Sequence, residues 1–223
     1  MISYLLLHGG GGVATMTGFA ARLAEHTGAR VDTPTHPGFG GTPRPAALTS
    51  TRDLAAHYAG ALDEPGVVVI GNSFGGWLAA EIALMHSPLV SGVVIVDGIG
   101  IEVDGHPVAS VGGLAPAELA ALSWHDPAQA PPATRPDVRA LLAYTGPTMS
   151  DPTLRERLAG VDVPVHVVWG ASDGIVDLAY GQAYADAIPG ATFTVLPRTG
   201  HLPQLEAPAE LLSSVLGRTM GSA

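Results

Sequence analysis

The chain has 223 residues, 47% of them hydrophobic, which suits a single domain with a sizeable core. Ten basic residues, all arginine, stand against twenty acidic ones, and the formal net charge of −10 has the wrong sign for a nucleic-acid backbone or an anionic membrane surface. Absent cysteine excludes disulfides, thiolate metal sites and a thiol nucleophile, while absent lysine excludes a P-loop, a pyridoxal-phosphate Schiff base and a lysine general base.

In chain order, Ile2–Leu7 predicts a strand that runs into the glycines after His8, and Thr15–His26 a helix. Arg30–Thr33 predicts the next strand and Thr51–Leu62 the next helix. Val67–Ile70 predicts a strand that feeds Gly71–Gly76 and a helix over Phe74–His86, and Val93–Val96 a further strand. Strand signals vanish from Gly98 to Gly160, where helices are expected at Pro116–Trp124, Asp137–Tyr144 and Pro152–Ala159. So long a stretch without strands is read as an insertion capping the sheet. Strands at Val163–Trp169 and Thr192–Leu196 alternate with helices at Leu178–Ile188 and Ala207–Gly217.

Several of these strands are apolar without alternation, as strands covered on both faces are. The expected fold is a three-layer α/β/α domain over 1–223 with a mostly or wholly parallel sheet and a small helical cap over roughly 98–160. Met1–Leu7 lacks a basic leader and no apolar run approaches membrane-spanning length, so a cytoplasmic protein is expected.

Gly71-Asn72-Ser73-Phe74-Gly75 places G-x-S-x-G between a strand and a helix, the context in which a tight turn lifts a serine hydroxyl above a sheet. A serine needs a base, and His201, in the loop after the last strand, lies at the sheet edge where parallel α/β proteins bind ligands. The imidazole in turn needs a carboxylate to hold its tautomer. Asp173, after the strand ending at Trp169, is favoured for this; Asp97, closing the strand before the insertion, competes, and Asp177 is a weaker candidate. Backbone amides of Gly10 and Phe74 are the expected oxyanion donors. Trp124, Leu141, Leu142, Tyr144, Met149 and Leu202 are candidates for an apolar pocket. No metal or cofactor is required by this set. A rival reading, dinucleotide binding, uses Gly9–Ala14 as G-x-G-x-x-A with Asp32 as the ribose ligand, but leaves Ser73, Asp173 and His201 unexplained.

These motifs together resemble the α/β-hydrolase superfamily over nearly the whole chain: Leu5–Gly10 its oxyanion loop, Thr35–Gly40 its proline-glycine turn, Gly71–Gly76 its nucleophile elbow, Gly170–Asp173 its acid turn and Gly200–Pro208 its histidine loop. The first strand leads straight into His8, so the resemblance implies a sheet lacking the family's two leading strands, with about six strands in all. It implies a cofactor-free serine hydrolase working through an acyl-enzyme on small or medium uncharged carboxylic esters. The implied partner is a small molecule, the implied state a monomer or homodimer. Asn72 resembles the elbow of hydrolases that cleave carbon–carbon bonds in aromatic ring-fission products, although Leu202 stands where those enzymes typically carry tryptophan. Ser73 distinguishes the chain from haloalkane dehalogenases and epoxide hydrolases, which have aspartate there; a haloperoxidase-like side activity would share the same residues. A ligand-binding protein that keeps the fold without turnover is the remaining alternative.

Overall fold

The computed structural model describes residues 2–131 and 136–219. Strands β1 (Ser3–Leu7), β2 (Val31–Asp32), β3 (Val67–Asn72), β4 (Val90–Val96), β5 (Val165–Gly170) and β6 (Thr192–Leu196) form one sheet in the order β2-β1-β3-β4-β5-β6. Every pairing is parallel. Between them run α1 (Ala14–Thr27), α2 (Thr51–Gly60), α3 (Phe74–Ala83) and α7 (Leu178–Asp186), with α8 (Pro203–Glu206) and α9 (Pro208–Thr219) closing the chain. The segment between β4 and β5 carries α4 (Pro116–Ser123), α5 (Val138–Thr145) and α6 (Leu154–Arg157).

Strand side chains alternate between faces, and the core divides accordingly. Leu5, Leu7, Val67, Val69, Val93, Ile95, Val165 and Val167 pack with α2, α3 and α7 on one face. Tyr4, Leu6, Val68, Ile70, Val94, Val96 and Val168 pack with Phe19 and Leu23 of α1 and Leu211 and Val215 of α9 on the other. Both faces are apolar, which is why the strands read as unbroken hydrophobic runs.

Some boundaries differ from expectation for identifiable reasons. Strand β2 pairs with β1 alone at an edge, and only two residues stay in register before Pro34 removes a donor. Helix α3 ends at Ala83 rather than His86, where the chain turns to a positive φ of 52°. The helix expected at Pro152–Ala159 begins at Leu154 and tightens into a 3₁₀ turn over Leu158–Gly160. The short helix α8, opened by Pro203 at its first turn, lies within the stretch read as a loop.

After β1 the chain turns outward to β2 and then returns across β1 to β3, so the order reverses between β1 and β3. The crevice beyond the carboxyl ends of these two strands is the ligand-binding position of open parallel sheets. It holds the glycine loop after β1 and Ser73 after β3.

Candidate active site

Ser73 sits between β3 and α3 at φ 58° and ψ −117°, a conformation a non-glycine residue adopts only when its surroundings enforce it. The enforcement comes from close backbone approach. A β-carbon at Gly71 would overlap the carbonyl of Gly75, and one at Gly75 would overlap that of Leu7, so the turn closes only with glycine at both positions. Ser73 is itself anchored by its amide, which donates to the Val96 carbonyl at 3.0 Å. Phe74 opens α3, so its amide is among the first N–H groups of that helix, where no intrahelical acceptor exists.

His201 is 6% exposed and Asp173 7%. The His201 Nδ1 bonds the Asp173 Oδ2 at 2.7 Å, while Asp173 Oδ1 accepts the amides of Ile175 at 2.7 Å and Val176 at 3.1 Å. With both Asp173 oxygens engaged, the carboxylate is fixed in place. The Nδ1 contact fixes the imidazole and leaves Nε2 as the ring nitrogen not engaged by Asp173. Ser73 and His201 wall one cavity of about 340 Å³.

Asp97 and Asp177 have other surroundings. Asp177 caps α7 by accepting the Tyr180 amide at 2.9 Å and pairs with His106 at 2.6 Å in an exposed position. Asp97 is fully buried; its Oδ1 accepts the Gly170 amide at 2.8 Å, and its Oδ2 has no hydrogen-bond partner among the described residues. Burial first, then the adjacent Asp173, pushes its carboxyl well above the usual carboxylate range. A carboxyl favouring its neutral form cannot supply the charge an imidazolium needs, and that role fits Asp173. Among the described residues, Asp97, Asp173 and His201 are the group with metal-ligand composition, but the Asp173 acceptors and His201 Nδ1 already hold hydrogen bonds. The arrangement is that of a hydrogen-bonded histidine–carboxylate pair.

The glycine loop lies against the serine: a β-carbon on Gly9 would stand 2.8 Å from Ser73 Cβ. That contact, rather than a pyrophosphate, accounts for a bare backbone here, and Asp32 pairs with Arg30 at 2.8 Å instead of waiting for a ribose. Gly11 lines the cavity, and the Gly10 carbonyl accepts the Asp137 amide at 2.9 Å, tying the loop to the start of α5.

Trp124, Leu141, Met149 and Leu202 all wall the cavity, together with Val108, Val111, Leu119 and Ile175. Tyr144 is not among its walls. Its hydroxyl donates to the Pro37 carbonyl at 2.9 Å, Arg44 lies 4.2 Å over its ring, and it stacks on Phe74, which makes it part of the core behind the wall. Leu142 likewise packs against that core.

The structure also gives contacts to residues whose supporting roles were not assigned from the sequence. Asn72 Nδ2 donates to the His201 carbonyl at 3.0 Å and to that of Val96 at 3.2 Å, while Gln204 Nε2 donates to Asn72 Oδ1 at 3.0 Å. At the end of α4, the Ser123 carbonyl accepts the His201 amide at 2.8 Å and the Leu122 carbonyl accepts the Gly174 amide at 2.9 Å. Glu206 accepts the Gly200 amide on one oxygen at 2.5 Å and the His125 amide on the other at 2.8 Å. Apart from Gly200 and Glu206, these partners are distant in sequence and leave no local pattern to read.

Known proteins give the chain its family. It is 31% identical over 205 residues, 76% of its own length, to the dihydrolipoyllysine-residue acetyltransferase component of the acetoin cleaving system of Cupriavidus necator. It spans about half, 51%, of that relative. It is 25% identical to 2-hydroxy-6-oxo-6-(2'-aminophenyl)hexa-2,4-dienoic acid hydrolase of Metapseudomonas resinovorans over 95% of this chain and 82% of the other. A thermophilic esterase from Thermogutta terrifontis shares the fold at a TM-score of 0.74 and 20% identity, over 97% of this chain and 89% of the esterase. The model of the alpha/beta hydrolase family matches residues 4–214, and the chain belongs to that family.

Proposed function

We propose that the chain is a serine hydrolase that cleaves small or medium uncharged carboxylic esters through an acyl-enzyme. One observation carries the reading: the strained Ser73 and His201, itself bonded to the buried Asp173 behind it, line one cavity whose described lining includes no Asp, Glu or Arg. In this reading Nε2 of His201 takes the Ser73 proton as Oγ attacks the ester carbonyl, and Asp173 stabilises the imidazolium. The Gly10 and Phe74 amides receive the oxyanion. The tetrahedral intermediate expels the alcohol, which leaves with the proton from His201. Water, deprotonated by the same nitrogen, attacks the acyl-enzyme and releases the acid and Ser73. The segment over 98–160 serves as the cap that shapes the acyl pocket.

A second reading, carbon–carbon bond hydrolysis, is favoured by the 25% identical relative and by Asn72 beside the nucleophile. That relative's substrate is named as a dienoic acid, whose carboxylate would call for a cation; the described lining residues supply none. The ester reading is therefore preferred.

The test compares wild type with Ser73→Ala on p-nitrophenyl butyrate and on a dienoic acid ring-fission product. Expected is turnover of the ester by wild type, loss of at least about a thousandfold in the variant, and a thermal midpoint nearly unchanged. Most activity surviving in Ser73→Ala would overturn the reading, and preference for the dienoic acid would move it to the second.

A further inference from the structure

Behind the glycine loop lie two histidines that the proposed chemistry does not use. His8 and His36 are both 0% exposed, and their rings stack with centroids 3.7 Å apart and planes at 29°. Phe39 and Phe74 meet the His36 ring edge-on at 5.5 and 5.7 Å. In so apolar a setting every polar atom needs a partner, and each has one.

The pattern of bonds fixes both tautomers. The His36 backbone N–H, which can only donate, bonds His8 Nε2 at 3.1 Å, so that nitrogen is unprotonated. The His8 proton is then on Nδ1, which donates to the Gly9 carbonyl at 2.7 Å. His36 Nε2 faces the His8 carbonyl at 2.9 Å and must donate. Its Nδ1 is left as the acceptor for the Tyr58 hydroxyl at 2.7 Å. Two neutral rings, with no alternative arrangement of protons, thus hold the carbonyls of His8 and Gly9.

Those carbonyls belong to the peptide units whose N–H groups are on Gly9 and Gly10. A trans peptide is planar, and its C=O and N–H point in opposite directions. Fixing the Gly9 carbonyl therefore fixes the direction of the Gly10 N–H. The Gly9 carbonyl also accepts the Gly12 amide at 3.1 Å, and the Gly10 carbonyl the Asp137 amide at 2.9 Å, so the His8 ring supplies the shortest of the contacts that set this direction.

We propose that His36, oriented by Tyr58, is a positioning residue that sets the aim of the Gly10 amide and so determines how well the loop stabilises an oxyanion on Ser73. This rests on the reading of Ser73 as nucleophile and Gly10 as oxyanion donor. His36 touches no substrate. Its ring holds the His8 carbonyl and stacks on the His8 ring, and it acts through that ring, whose Nδ1 holds the carbonyl of the peptide that carries the Gly10 amide.

The test first labels wild-type protein with a fluorophosphonate and maps the adduct. It then measures kcat and KM on p-nitrophenyl butyrate, and binding of an alkyl trifluoromethyl ketone against the corresponding secondary alcohol, for wild type, Tyr58→Phe and His36→Leu. The ketone forms an oxyanion at the serine and the alcohol does not. Expected is a fall in kcat of about tenfold for Tyr58→Phe and about a hundredfold for His36→Leu, with KM changed less than about threefold. Ketone affinity should fall in parallel while alcohol affinity holds. If His36→Leu does not fold, Tyr58→Phe, which removes one oxygen, decides alone. No adduct on wild-type Ser73 overturns the serine-hydrolase reading and this proposal with it. An adduct on Ser73 combined with an unchanged ketone-to-alcohol ratio in Tyr58→Phe overturns this proposal alone.

Discussion

Helix α4 lines the cavity and α3 begins beside it at Ser73, and the two are written in nearly the same vocabulary, FGGWLAAEIA against PAELAALS. Their fates differ. All ten residues of α3 are buried, down to Glu81, whose carboxylate is met by Arg157 at 2.7 and 2.9 Å and by the Trp77 indole at 3.3 Å. In α4 the only buried residue is Ser123, and Leu119 and Ala120 face the cavity instead of a core. An apolar helix covered on all sides holds up the fold, whereas one covered on one side and facing a void is free to shape what fills the void. Apolar composition alone does not separate the two; position directly after the strand that leads into Ser73, rather than after a glycine-rich loop, does.

The sharpest way to break this comparison is to cut equal volume from both helices. Leu78→Ala, in α3 at 0% exposure, is expected to cost about 2–5 kcal/mol of unfolding free energy in urea titration. A loss below about 1 kcal/mol would mean that α3 is not the keystone described.

A second measurement concerns the loop that α3 helps to enclose. Burial drives the His8 pKa down to about 4 and that of His36 well below its usual value. Because the folded form resists protonation, the unfolded chain takes the proton first as pH falls below about 6.5. The His8 contribution, about 3 kcal/mol, is complete above that pH and is lost progressively on the way down to about 4. Asp97, raised by burial, works in the opposite sense, so the direct check is the ring nitrogen resonances of His8 and His36 by NMR. They should stay neutral from pH 7.5 to 5, and titration of either near 6.5 would contradict the enclosed pair.

The smallest effect on stability is expected in α4. Leu119→Ala should stay within about 0.5 kcal/mol of wild type yet shift the preference between p-nitrophenyl hexanoate and acetate by about three- to tenfold. A stability loss matching that of Leu78→Ala would erase the distinction between the helices.

What was legible in the sequence followed from local rules. The elbow could be read because a strained serine needs glycines at fixed offsets, and His201 because a loop after a strand lands at one edge of a parallel sheet. Asp173 and Asp97 stayed in competition because both follow adjacent strands; the bond between His201 Nδ1 and Asp173, together with the complete burial of Asp97, separates them in the fold. Leu141 and Tyr144 share a helix face at i, i+3, so sequence pairs them, but the cavity stops at Leu141 and Tyr144 reaches Pro37 instead. The roles of His36, Gln204 and Glu206 depend on contacts 28, 132 and 81 residues away. Such contacts come from the finished fold.

The seam between Ser123 and His201 bears on how this protein could be rebuilt. An insertion between two strands looks like an exchangeable part, a cassette whose replacement would change the substrate and spare the catalyst. Here the cassette donates a main-chain acceptor to the amide of the candidate base and closes on the acid turn through Leu122. Any graft that omits that short span would remove the support of the base along with the old pocket, so the crossover point for recombination lies after Asp126 rather than at the strand ends.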